Sequence, residues 1–149
     1  MNTVLFLCSA NYYRSRFAEH LFNHLATQDG LPWRADSRGL ATGNCGNVGP
    51  ISHYTVEALA TRGIELDGEP RHPAALTHAD LVRSDLVIAV KESEHRAMMR
   101  EQFPQLEDKV EYWHVDDIDC RPPEDALPVL EERIRALVAR LRKAQSTAA

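Results

Sequence analysis

The sequence predicts an α/β fold, a single domain with a four-stranded parallel sheet and helices on both faces. Three observations predict it. Short apolar runs alternate with amphipathic helical stretches, the pattern of strand–helix–strand units. The runs Val4 to Leu7 and Leu86 to Val90 are continuously apolar, as strands covered on both faces require. The chain has 149 residues, 44% hydrophobic and 26% charged, which suits one domain with a real core and no internal repeat or linker.

Val4 to Leu7 forms the first strand, followed by the loop Cys8 to Tyr13. From Arg14 the pattern turns helical, with Phe17, Leu21 and Leu25 on one stripe and Ala18 and Phe22 beside it. Asp29-Gly30 ends that helix, because glycine accepts the left-handed cap. Trp33 to Ser37 is a second strand, closed by Ser37-Arg38-Gly39, and the Gly- and Asn-rich stretch Thr42 to Pro50 is a loop. Ile51 to Gly63 reads as a helix with Val56, Leu59 and Ala60 on one side. Thr77 with Asp80 three residues on makes an imperfect capping box for a short helix. Asp85 to Val90 is a third strand, Glu92 to Gln102 a polar helix, and Val110 to Val115 a fourth strand with Trp113 half-buried. Glu124 to Lys143 is the closing helix, striped by Leu127, Leu130, Ile134, Leu137 and Leu141. Its acidic start and basic end suit the helix dipole. The domain is expected over residues 1–149, with the tail after about residue 143 frayed.

Charge and composition narrow the function classes. The net charge is −5, with no concentrated basic run, against a dedicated nucleic-acid binder. No apolar run approaches a membrane span and the start lacks a signal-peptide pattern, so no membrane partner is expected. Three cysteines are an odd number and do not suggest a disulfide framework. A reduced, cytoplasmic setting is expected, and it suits a reactive thiol.

The chemistry concentrates at Cys8-Ser9-Ala10-Asn11-Tyr12-Tyr13-Arg14-Ser15. An arginine six residues after a cysteine arises by chance about one time in twenty. The setting makes the pairing informative, because Cys8 ends an apolar strand and Arg14 opens an amphipathic helix. Backbone N–H groups of such a loop, with the positive end of the next helix, cradle a tetrahedral oxyanion. A cysteine there is favoured as the thiolate nucleophile. Arg14 offers a two-pronged donor set to phosphate oxygens. Ser15 can hydrogen-bond the sulfur and help it leave. The competing structural role for Cys8 is a small buried hydrophobe that closes the strand.

Val4-Leu5-Phe6-Leu7-Cys8 through Arg14-Ser15-Arg16-Phe17-Ala18-Glu19 resembles the amino-terminal signature of the low-molecular-weight protein tyrosine phosphatases, a family that includes related arsenate reductases. The family loop reads Cys-x-Gly-Asn-x-Cys-Arg-Ser-Pro. Cys8, Asn11, Arg14 and Ser15 match, while Ala10 stands for the glycine, Tyr13 for the second cysteine and Arg16 for the proline. Ala10 needs a backbone angle that alanine tolerates. Tyr13 removes the neighbouring thiol that commonly protects the nucleophile. The resemblance implies that Ser9, Ala10, Asn11, Tyr12, Tyr13 and Ser15 surround the bound phosphate and that Ser37 braces Asn11. A local turn bond by Ser37 is an equal alternative. Counting back from Leu76-Thr77 puts Arg71 at the position of a family histidine that joins the loop's hydrogen bonds, with His72 one residue later as a surface side chain.

The resemblance also implies a general acid after the fourth strand, usually Asp-Pro. The leaving oxygen departs poorly as an alkoxide or phenoxide and must be protonated. Here the loop reads Trp113-His114-Val115-Asp116-Asp117-Ile118-Asp119-Cys120-Arg121-Pro122-Pro123, without Asp-Pro. Family members with a tryptophan in this strand often carry the acid four residues after it, so the resemblance selects Asp117, with Asp119 second and Asp116 third; a solvated acidic turn is the alternative for each. The family's flanking tyrosines are missing, and Tyr12 or Tyr13 stands as a substitute aromatic wall.

These readings converge on a cysteine-dependent phosphatase acting on phosphate monoesters, by analogy phosphotyrosine, through a phosphocysteine. Catalysis would rest on Cys8, Arg14 and Asp117, without cofactor or metal, on a phosphorylated protein or small aryl phosphate, as a monomer or weak dimer. Two rivals stand beside it. Arsenate reductase of the same fold would need reducing equivalents from Cys45, Cys120 or an external thiol. A non-catalytic anion-binding or phosphocarrier domain would not need the acid.

Overall fold

The computed structural model describes residues 1–43 and 45–147. In chain order the elements are β1 (Asn2–Cys8), α1 (Arg14–Gln28), β2 (Trp33–Gly39), α2 (His53–Ala60), α3 (His78–Arg83), β3 (Leu86–Ala89), α4 (Glu92–Gln102), a 3-10 turn (Pro104–Lys109), β4 (Glu111–Tyr112) and α5 (Pro123–Thr147). The four strands form one parallel sheet in the order β2-β1-β3-β4. The predicted α/β class, parallel sheet and two-sided helical cover are therefore present.

β1 is central because its side chains are apolar on both faces. Val4, Phe6 and Cys8 pack into one core with Phe17, Leu21 and Phe22 of α1 and Leu130, Ile134 and Leu137 of α5. Leu5 and Leu7 point the other way, onto Leu81 of α3 and Met99 of α4. The α1 cap is left-handed at Gly30 (φ 64°), as Asp29-Gly30 predicts. Thr77 and Asp80 make a complete capping box rather than an imperfect one, each side chain meeting the other's backbone N–H.

Three helix or strand boundaries and the burial of Trp113 differ from expectation. α2 is shorter, because the Ser52 hydroxyl caps it by accepting from the Tyr54 N–H (3.2 Å) and excludes Ile51, while Gly63 turns the chain at φ 75°. β4 is only two residues long, because after Tyr112 the chain bends across the start of α4 and pairs Lys91 with His114 in an antiparallel bridge. Trp113 is buried rather than half-buried; it packs on Phe6 (5.9 Å between centroids) while its N–H donates to Glu111 Oε2 at 2.9 Å. α5 continues through the expected frayed tail to Thr147, since no Gly or Pro follows Lys143 to stop it. Residues 148 and 149 of that tail, and Asn44 of the 42–50 loop, lie outside the described residues.

Register brings the chemistry to one place. Cys8 sits opposite Gly39 at the carboxyl end of β1, and Leu7 lies opposite Ala89 near the end of β3. Open α/β sheets bind ligands at the carboxyl ends of their strands. Among the described residues, no helix is long and apolar enough to cross a membrane.

Candidate active site

The loop between β1 and α1 holds its shape through Asn11. Asn11 takes the left-handed backbone (φ 53°), which asparagine tolerates better than other side chains. Among the described non-glycine residues it is the one with positive φ, so Ala10 carries no such strain where the family loop has glycine. Both Asn11 amide hydrogens are used, toward Ser15 Oγ (2.8 Å) and Ser37 Oγ (2.9 Å). Its carbonyl oxygen accepts from Arg71 Nη1 and from the Ala74 N–H, both at 3.0 Å. A carboxamide offers two donors and two lone pairs, and all four are taken.

An outer layer locks this layer. The Ser37 hydroxyl donates to Glu19 Oε1 (2.6 Å), and Arg71 Nη2 reaches Glu19 Oε1 (3.1 Å) and the Ser37 carbonyl (2.9 Å). Arg71 thus stands where counting put the family histidine, while His72 is exposed. Arg16, in the family's proline position, is buried and donates to the carbonyls of Asn11 (3.4 Å), Pro50 (3.0 Å) and Arg71 (2.9 Å). Gly39 permits the close approach: a Cβ there would lie 2.7 Å from the Ser9 carbonyl oxygen and 3.1 Å from the Asn11 Cβ.

Cys8 is buried, with its sulfur 2.9 Å from Ser15 Oγ. Either atom of this pair can donate; with Cys8 as the thiolate, which can only accept, the Ser15 hydroxyl supplies the hydrogen while its oxygen accepts from Asn11. Arg14 is also buried. Its Nη1 donates to the Val115 carbonyl at 3.0 Å, and its Nη2 lies 3.4 Å from Asp117 Oδ2. Burial would lower the affinity of Arg14 for its proton, but Cys8, Glu94 and Asp117 raise it on balance.

The three aspartates have different surroundings. Asp116 pairs with Lys91 Nζ (2.8 Å) and Arg121 (3.3 Å), and the Lys91 bond holds its carboxyl below the ordinary range. Asp119 is exposed beside Cys120, whose thiol it pushes up. Asp117 faces Arg14. Of the proposed aromatic walls, Tyr13 belongs to the core, where burial first and then the Asp117 charge raise its hydroxyl to about 12. Tyr12 stays half-buried, its hydroxyl on the Val48 carbonyl, and both Tyr12 and Tyr13 line a cleft with His53, Tyr54, Asp117 and Ile118. Cys45 donates to the Ala41 carbonyl (3.0 Å), and Cys120 lies 3.9 Å from Lys91 Nζ.

Sequence reasoning missed the first turn of α4. Glu94 accepts from Arg14 with both oxygens (3.0 and 3.1 Å) and takes the Ser9 hydroxyl hydrogen. Burial alone would raise the Glu94 carboxyl; hydrogen bonds from His95, Arg14 and Ser9 outweigh it and hold the group far below the usual range. His95 is buried, and burial lowers its proton affinity. Its Nδ1 accepts from the Lys91 N–H (3.1 Å), so Nε2 carries the hydrogen and donates to Ser9 Oγ (3.1 Å). The available signal was topological: α4 starts at the carboxyl end of β3, next to that of β1. A larger concavity lies elsewhere, between α1 and residues 64–71; it reaches Arg16, Glu19 and Arg71 but none of Cys8, Arg14 and Asp117.

The family model described as low molecular weight phosphotyrosine protein phosphatase matches residues 3–147. A protein-arginine-phosphatase of Bacillus subtilis is 32% identical over 107 residues, 72% of this chain and 67% of that protein. The low molecular weight protein-tyrosine-phosphatase YfkJ of the same organism is 37% identical over 92 residues, 60% of this chain and 56% of that protein. The crystal structure of YfkJ superimposes with a TM-score of 0.79 at 28% identity, covering 97% of this chain and 96% of that one. The chain belongs to the low molecular weight phosphotyrosine protein phosphatase family, a family of cysteine-based phosphatases.

Proposed function

We propose that the chain hydrolyses phosphate monoesters, with phosphotyrosine in proteins as the principal substrate, through a phosphocysteine on Cys8 and without a metal or cofactor. The observation that carries this reading is the meeting of two loops: Arg14, which opens α1 just after the Cys8 loop, has its Nη2 3.4 Å from Oδ2 of Asp117 in the loop after β4, while Ser15 of the same turn contacts the Cys8 sulfur at 2.9 Å. The phosphate sits in the cradle of residues 8–14. The Cys8 thiolate attacks phosphorus in line, the S–P bond forms and the P–O bond to the leaving group breaks. Arg14 and the loop N–H groups hold the equatorial oxygens as charge spreads over them. Asp117 protonates the leaving oxygen, and the resulting carboxylate then takes a proton from the water that attacks the phosphocysteine. Ser15 donates to the sulfur as it leaves. Arg14 does the charge work a cation would otherwise do. Asp117 is the favoured acid because Asp116 is engaged by Lys91 and Arg121, and Asp119 is exposed. The Tyr12–Tyr54 cleft supports an aryl substrate. Arsenate reduction has less support, since both Bacillus subtilis relatives described above are named phosphatases. All three cysteines are unpaired, which supports a reducing, cytoplasmic setting; the reading includes a monomer or weak dimer with no nucleic-acid or membrane partner.

The test is release of p-nitrophenol from p-nitrophenyl phosphate with chelator present, followed by phosphotyrosine and phosphoarginine peptides side by side. Turnover by the wild type and none by Cys8→Ser supports the reading. An inert wild type that still binds vanadate would overturn hydrolysis in favour of an anion-binding module. Preference for the phosphoarginine peptide would overturn the substrate assignment alone.

A further inference from the structure

We infer that Glu94 is a positioning residue for this reaction: it grips the terminal Nη1–Nη2 edge of the Arg14 guanidinium and so presents the adjacent Nε–Nη2 edge to the substrate phosphate. The inference rests on the proposed phosphatase reading. Arginine offers two parallel donor forks, one across Nη1 and Nη2 and one across Nε and Nη2. Glu94 takes the first, with Oε2 on Nη1 (3.1 Å) and Oε1 on Nη2 (3.0 Å). The Val115 carbonyl takes the other Nη1 hydrogen at 3.0 Å. Nε and the second Nη2 hydrogen remain, and that Nη2 is the nitrogen 3.4 Å from Asp117. The fork left for an oxyanion therefore lies on the side of the acid. Glu94 holds the Nη1–Nη2 edge, the phosphate binds the Nε–Nη2 edge, and neither displaces the other.

The carboxylate is itself held. His95 Nε2 donates to Ser9 Oγ, and Ser9 Oγ donates to Glu94 Oε1. Ser9 follows the nucleophile directly, so the first turn of α4 fixes the start of the cradle and the plane of its arginine together. Two preorganised anchors on one guanidinium matter because arginine otherwise has many rotamers to lose when it meets a dianion. The obvious opposing reading is that Glu94 competes with phosphate for Arg14. The two differ in sign.

The experiment measures vanadate affinity and p-nitrophenyl phosphate kinetics for wild type, Glu94→Gln, Arg14→Lys and the double variant, with near-ultraviolet circular dichroism to report folding. Positioning predicts that Glu94→Gln weakens vanadate binding by about 10-fold or more. It also predicts a fall in kcat larger than the rise in KM, because the arginine matters most as charge spreads in the transition state. In the Arg14→Lys background the same change costs less than about 3-fold, since lysine has no fork to orient. Unchanged or tighter vanadate binding in Glu94→Gln, or an equal cost in both backgrounds, overturns the inference. If Glu94→Gln does not fold, His95→Asn replaces it, with a smaller loss in the same direction expected and no loss overturning. A wild type that binds vanadate without turnover defeats the phosphatase reading, and the vanadate arm still decides the role of Glu94.

Discussion

The two sides of the loop that follows β1 are built on different principles. On the β2 side, Asn11, Ser37 and Arg16 are buried, and every hydrogen-bonding valence of the Asn11 amide is filled. On the α4 side, the acid loop is held by ion pairs: Lys91 on Asp116 at 2.8 Å and Arg14 near Asp117, whose side chain is 36% exposed. On the reading proposed above, the first side moulds the anion site, while the second leaves Asp117 room to meet leaving groups of different shape and lets water reach it for the second step. Anion affinity and turnover then respond differently to substitutions on the two sides.

The largest effect belongs to the mould. Cys8→Ser eliminates turnover while phosphate and vanadate binding survive. Asn11→Ala removes the hydrogen bonds to Ser15, Ser37, Arg71 and the Ala74 N–H and puts alanine at φ 53°, so it costs on the order of 3 kcal/mol of stability, read by urea unfolding. Vanadate affinity falls with it. Asp117→Asn lowers kcat by roughly 10² and leaves vanadate affinity within about 3-fold, while Asp119→Asn changes neither. Reversal of that order would move the acid to Asp119 and leave the mould intact.

Lys91→Met sharpens the comparison further. It frees Asp116 and loosens the acid loop, so kcat drops about 3- to 10-fold with little change in anion affinity; equal losses in both would show that Lys91 also supports the mould. The smallest effect is on stability against pH. Burial lowers the proton affinity of His95 and His20 below that of an unfolded histidine. The unfolded chain then binds more protons as pH falls, so their contribution is complete above the ordinary histidine range, near pH 6.5, and is lost as pH drops toward the folded values. Thermal midpoints between pH 7.5 and 5.5 should decline, and His20→Gln should flatten that decline.

The same division governs what the sequence disclosed. The mould is local: Cys8, Asn11, Arg14 and Ser15 lie within eight residues, where spacing marked Cys8 and Arg14, while the family resemblance supplied Asn11 and its brace Ser37 at the end of the adjacent strand. Arg71 could be placed by counting, but four of the five groups it joins come from three other segments, at Asn11, Glu19 and Ser37. Glu94, His95 and Lys91 carry no local signature, since an acidic first turn of a polar helix is ordinary capping chemistry. Only the β1–β3 pairing brings that turn to Arg14. Tyr13 stood in the motif yet went to the core, because the residue before Arg14 caps α1 and turns inward onto the α1–α5 cluster. β4 was over-extended for a similar reason: Trp113 and Val115 are apolar and do donate to Ala89 and Val90, but the bend over α4 ends the ladder at Tyr112.

The most direct test of the central claim is to trap the covalent intermediate. p-Nitrophenolate leaves without help from an acid, so in Asp117→Asn the step that suffers is hydrolysis of the phosphocysteine, and that species accumulates. The variant is mixed with p-nitrophenyl phosphate and quenched, and its peptides are weighed. One phosphate on the peptide carrying Cys8, with p-nitrophenol released in a matching burst, is the predicted result. Steady release of p-nitrophenol with no phosphate on that peptide contradicts the account.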